Sequence, residues 1–181
     1  MSDYSNTFTS EVDNDIKHLK NKSFPYISLP NQEGNLLRLH RQDTFRMILY
    51  FFPMTGRPDR ALPNNWNNIP GAKGCTFQTC LFRDKYDEII SLNAVPIGIS
   101  TQTVEDNKEM TSRLTVPYDV LSDEKLELTN LLNLPMFIIN KKKYFKRITL
   151  IIEKNIIKKV FYPIYAIDKH IIEISKWLQE N

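Results

Sequence analysis

Cys75 and Cys80 are the only cysteines in the chain, and they stand five positions apart. A thiol does nucleophilic or redox chemistry as its thiolate, so what surrounds each sulfur decides its use. Cys75 follows Gly74 at the expected start of a helix running through Thr76-Phe77-Gln78-Thr79-Cys80-Leu81-Phe82-Arg83-Asp84. Unpaired backbone N–H groups and the positive end of the helix dipole meet there, and both favour thiolate. Cys80 falls about one and a half turns further on. In an intact helix, residues i and i+5 are displaced by about 7.5 Å along the axis and about 140° around it. That exceeds the roughly 7 Å Cα separation a disulfide tolerates. A bond between the two would require the first helical turns to uncoil, giving one segment two conformations. The alternative is two unrelated buried thiols, since free cysteine packs as a small hydrophobe. Zinc is not expected, because only two cysteines are present and His18, His40 and His170 lack ligand spacing.

The elements that would position this pair follow from hydrophobic periodicity. Tyr26–Leu29 and Leu36–Leu39 flank turn residues and suggest an N-terminal hairpin. Arg46–Phe52 is a short continuous apolar run ending at Pro53, as a buried central strand would look. A Pro/Gly/Asn-rich stretch between Pro53 and Gly74 reads as a long loop, of the kind usually functional or mobile. Helical spacing then joins Phe77, Leu81, Phe82, Tyr86, Ile89 and Ile90. Val95–Ile99 is a second buried strand, with a helix from Ser100 or Thr101 to about Leu114. Tyr118–Leu121 is a short strand and Asp123 to about Leu132 a helix. Arg147–Ile152 and Ile156–Tyr162 form a hairpin turning near Lys154-Asn155. Ile167, Ile171, Ile174 and Leu178 share one face of a C-terminal helix. Alternating strands and helices predict an α/β fold with a mixed sheet. Residues 1–22 read as a polar N-terminal extension and 23–181 as one domain.

Composition narrows the possibilities. The chain has 181 residues, 41% hydrophobic and 25% charged, with a net charge of only +3. That balance argues against a nucleic-acid partner. The longest apolar run, Met47–Phe52, is far short of a membrane span. The first residues lack a basic, then apolar, export pattern, so a reducing, cytoplasmic setting is expected. Lys141–Lys159 holds eight Lys or Arg against one Glu, and by spacing alone Arg147 is a solvated member of that basic face.

Several segments together resemble the peroxiredoxins, specifically the bacterioferritin-comigratory or PrxQ group. Tyr50-Phe51-Phe52-Pro53 and the run Gly74-Cys75-Thr76 through Cys80-Leu81-Phe82-Arg83-Asp84 are similar to that group's motifs. So are Pro96–Ser100, Pro117–Asp123 and Arg147–Ile152, in the same order. The resemblance implies a thioredoxin-like fold with a central mixed β-sheet flanked by helices. It implies reduction of hydroperoxides, with no cofactor and no metal. It makes Cys75 the peroxidatic cysteine, oxidised to a sulfenic acid, and Cys80 the resolving cysteine that closes an intramolecular disulfide. Arg147 would hold Cys75 as thiolate and stabilise charge on the peroxide oxygens. Thioredoxin or a similar dithiol would recycle the enzyme, as a monomer or homodimer.

The sequence departs from the family in its loop. The usual pattern is Pro-x-x-x-Thr/Ser-x-x-Cys, whereas Pro53 and Cys75 are 22 positions apart, so that about 15 residues are inserted within 54–74. Ala72 stands three before Cys75, leaving Thr55 as the nearby hydroxyl that could orient peroxide. The insertion either roofs the site or forms a surface flap. Gln78 occupies a position where the family often carries Glu. A different class of function also fits the pair: a redox-sensing module using the same switch without sustained turnover. A thioredoxin-type oxidoreductase fits less well, since it would use Cys-x-x-Cys.

Overall fold

The computed structural model describes residues 16–41 and 44–181. Its centre is β3 (Arg46–Phe51), buried at all six positions. Alternation assigns its side chains to two cores: Met47, Leu49 and Phe51 to one, Ile48 and Tyr50 to the other. That is why the run is apolar throughout instead of alternating with polar residues. β4 (Ala94–Ser100) pairs parallel to β3, and β5 (Val120–Ser122) parallel to β4. β8 (Ile148–Glu153) pairs antiparallel on the other side of β3, and β9 (Ile156–Phe161) antiparallel to β8. The sheet order is β5-β4-β3-β8-β9, a mixed sheet as the sequence suggests.

One core joins the sheet to the N-terminal hairpin β1 (Ser28–Pro30) and β2 (Leu36–Arg38) and to α4 (Glu127–Leu132). The other takes Cys75 and Phe82 from α1 (Cys75–Asp84), Ile89 from α2 (Tyr86–Ser91) and Met110 from α3 (Val104–Leu114). Ile171, Ile174 and Leu178 of α5 (Ile167–Glu180) complete it.

Several details differ from the periodicity reading. The helix expected through Ile90 breaks at Lys85 into α1 and α2. The helix expected from Ser100 or Thr101 starts at Val104, where the Thr103 side chain accepts from the Asp106 N–H, and the helix expected from Asp123 starts at Glu127. The segment 134–146 contains a hairpin the sequence reading passed over, β6 (Met136–Ile139) with β7 (Lys142–Phe145). Residues 1–15 of the expected extension lie outside the described residues, but its end is anchored. Leu19 is fully buried in the first core, and Asn21 N–H donates to the Ile157 carbonyl.

Candidate active site

Cys75 is the first residue of α1, at the end of the sheet to which the β3 and β4 C-termini run. Gly74 precedes it with φ +91°, a left-handed conformation that disfavours a side chain. A Cβ there would also lie 2.7 Å from Ile167 Cδ1 of α5, so the chain passes α5 at backbone distance. The Cys75 thiol is 3% exposed. Its Sγ lies 3.5 Å from the Ala72 carbonyl and 3.1 Å from Arg147 Nη2, and it also faces the Met54 N–H. Burial pushes the thiol up from its ordinary pKa and sets the net direction, while the Arg147 charge and the Met54 N–H pull it down. Desolvation thus opposes the stabilisation of thiolate at the helix mouth, and no local sequence pattern encodes that burial.

Arg147 is buried, not a solvated member of the basic face. It directly precedes β8, and its side chain meets the start of α1, where Nη2 donates to the Lys73 carbonyl at 2.6 Å and Nη1 to Gln78 Oε1. Among the described residues no carboxylate pairs with it. Its acceptors are a backbone carbonyl, a neutral amide and the Cys75 sulfur. A buried guanidinium so placed favours an anion beside it, and the thiolate is the group positioned to be that anion. His170 of α5 lies near Arg147 and bonds Thr149 at 3.0 Å through Nε2. Burial, with Arg147 adding to it, lowers the His170 pKa to about 4, so this imidazole is neutral at physiological pH.

Cys80 is half-buried and free, on the same unbroken helix as Cys75. Its electrostatic neighbours include Arg83 and Arg113. The helix is pinned just before it: Tyr118 donates to the Thr79 carbonyl at 2.9 Å, and the Tyr50 and Tyr118 hydroxyls are 3.0 Å apart.

Thr55 is buried and directly follows Met54, whose N–H faces the Cys75 sulfur. Both its N–H (2.9 Å) and its Oγ1 (3.2 Å) donate to Gln102 Oε1, and Gln102 Nε2 returns a bond to its carbonyl at 3.2 Å. Thr55 is thereby held in one pose, with its hydroxyl proton engaged by Gln102. Sequence reasoning did not single out Gln102, the Met54 N–H or the carbonyls of Ala72 and Lys73. Main-chain groups carry no residue-type signal, and Gln102 meets Thr55 only through tertiary folding.

Comparisons with known proteins give the chain a family and a fold. A family model described as the AhpC/TSA family matches residues 67–160. A chloroplastic peroxiredoxin Q from Sedum lineare is 27% identical over 164 residues, covering 90% of this chain and 79% of that protein. A putative peroxiredoxin bcp from Coxiella burnetii is 24% identical over 156 residues, covering 83% and 91% respectively. Among solved structures, peroxidoxin BcpB from Mycobacterium tuberculosis superposes with a TM-score of 0.72 at 22% identity, covering 89% of this chain and 96% of that one. A cysteine-to-serine mutant of Xylella fastidiosa PrxQ gives 0.69 at 14% identity, covering 88% and 96%. The chain belongs to the AhpC/TSA family, with the thioredoxin-like fold of its peroxiredoxins. Its similarity runs to the Q and bcp members, and with them it is a thiol-dependent peroxidase, an oxidoreductase.

Proposed function

We propose that the chain reduces hydrogen peroxide and organic hydroperoxides through Cys75, with Cys80 resolving and thioredoxin or a similar dithiol recycling it, in a reducing compartment such as the cytoplasm. The observation that carries this reading is the 3.1 Å contact between Arg147 Nη2 and Cys75 Sγ in a water-poor site. The Cys75 thiolate attacks one peroxide oxygen, the O–O bond breaks, and the leaving alkoxide or hydroxide takes up a proton. The sulfur is left as sulfenic acid. Arg147 donors lie where negative charge shifts from sulfur to oxygen, so they stabilise both ends of the transfer. Thr55, held by Gln102, offers its hydroxyl oxygen to the incoming O–H. The Cys80 sulfur then attacks the sulfenic sulfur, a disulfide forms and water leaves. Two thiols of the reductant open that disulfide by exchange.

Thioredoxin-coupled peroxide consumption, followed by mass mapping of the oxidised protein, tests the reading. Sustained turnover with a Cys75–Cys80 disulfide is expected. Oxidation to that disulfide without turnover would instead favour a redox sensor.

A further inference from the structure

The 54–74 insertion is tied down at three places. Near its start, Gly56 accepts from Arg113 at 3.1 Å, while Arg57 (3.2 Å) and Arg60 (3.0 Å) both donate to Asp106 in the first turn of α3. In its middle, Trp66 is 3% exposed and sits edge-on to Tyr144, with ring centroids 5.1 Å apart, and 5.9 Å from Phe137. Both partners belong to the β6–β7 hairpin. At its end, Ala72 is buried in the same apolar cluster as Trp66 and Tyr144. The Ala72 carbonyl contacts the Cys75 sulfur, and the Lys73 carbonyl accepts from Arg147. The insertion is therefore part of the site and not a flap beside it.

We infer that docking of the insertion is coupled to the redox state of Cys75, with Trp66 as the positioning residue that holds Ala72 and Lys73 against the thiol and Arg147. The inference rests on the Cys75–Cys80 disulfide proposed above. Joining those sulfurs requires the first turns of α1 to uncoil, because an intact helix keeps residues five apart out of bonding range. Ala72 and Lys73 lie three and two residues before Cys75, so displacing Cys75 pulls both carbonyls from their partners. Ala72 leaves the cluster that Trp66 completes. Contacts made in the dithiol form and lost in the disulfide form stabilise the dithiol form, and so make the disulfide easier to reduce. The aromatic anchor is thus a setting on how oxidising the pair is. It also holds the freshly formed sulfenic acid away from Cys80.

Trp66 and Trp177 are the only tryptophans in the chain, so Trp177→Phe leaves Trp66 as the sole indole reporter. Oxidising that variant with hydrogen peroxide is expected to red-shift Trp66 emission as its ring meets water, and dithiothreitol should reverse the shift. In glutathione buffers, Trp66→Ala should move the dithiol–disulfide equilibrium about tenfold toward disulfide, close to 30 mV more negative. Trp66→Phe, which keeps an aromatic ring, should recover most of that change. A mapped Cys75–Cys80 disulfide with unchanged Trp66 emission would overturn the coupling while leaving the peroxidase reading intact. Because this measurement uses an intact Trp66, it decides the matter even if Trp66→Ala fails to fold. If peroxide produces no such disulfide, both the coupling and the resolving role of Cys80 fall.

Discussion

Arg147 donates through Nη1 to the side-chain carbonyl of Gln78, so the buried guanidinium is aimed at Cys75 by a neutral amide. Gln78 lies one turn along α1 from Cys75, which brings both side chains onto the face that Arg147 covers. Because Gln78 brings no negative charge, the cation is left for the sulfur to balance. Gln78→Glu would add a carboxylate that competes for it. The thiolate then loses stabilisation, the Cys75 pKa should rise further, and alkylation at pH 7 should slow about tenfold. Iodoacetamide reaction rates against pH measure this directly. A midpoint equal to that of the wild type would show that the charge at position 78 is immaterial.

Gly74→Ala should cost about 1–3 kcal/mol in stability, since φ +91° is strained for any residue with a Cβ. The added methyl also meets Ile167 Cδ1, a contact that Ile167→Val would relieve. Adding Ile167→Val should therefore restore only part of the loss in a urea melt. Full restoration would mean that the close approach, not the backbone conformation, requires glycine.

Stability should fall on acidification through His170. Its folded pKa of about 4 lies below the ordinary value near 6.5, because burial and Arg147 disfavour the imidazolium. The unfolded chain binds the proton first, so the stabilisation is complete above about pH 6.5 and lost as pH drops toward 4. The full effect is on the order of 3 kcal/mol. His170→Gln should flatten the pH dependence of unfolding between pH 6.5 and 4. An unchanged slope would assign the acid sensitivity to other groups.

Cys80→Ser should still consume about one peroxide per chain but stop there, with Cys75 retained as sulfenic acid or driven to higher oxides. Trapping by dimedone and intact mass would register the stalled species. Normal cycling with thioredoxin would remove Cys80 from the resolving role.

The elements with strong periodicity were legible: the all-apolar β3, the α5 stripe and the turn at Lys154-Asn155, where both residues have positive φ. The β6–β7 hairpin was not, although Asn140 and Lys141 also have positive φ, as a two-residue hairpin turn requires. Its lysine run reads as a solvated face and hides the inward-facing Tyr144 and Phe145. The path of the insertion was illegible for another reason. Trp66 finds its ring partners in a hairpin distant in sequence, and no local pattern encodes that meeting. The two cysteines could be picked out from their spacing, whereas the burial of Arg147 and its bond to Gln78 arise only once β8 lies beside β3.

The insertion meets the reacting sulfur and its guanidinium through the carbonyls of Ala72 and Lys73. Carbonyls are common to all twenty amino acids. Alanine scanning would therefore pass over both positions, Ala72 being alanine already and Lys73 keeping its oxygen when truncated. Sequence drift at exposed position 73 is free to continue as long as the path of the chain is kept, whereas position 72 is confined to a small side chain by the apolar cluster around it. The contribution of this segment would show in deletions, ester-for-amide replacements or loss of the distant Trp66 anchor, and not in a comparison of residue identities.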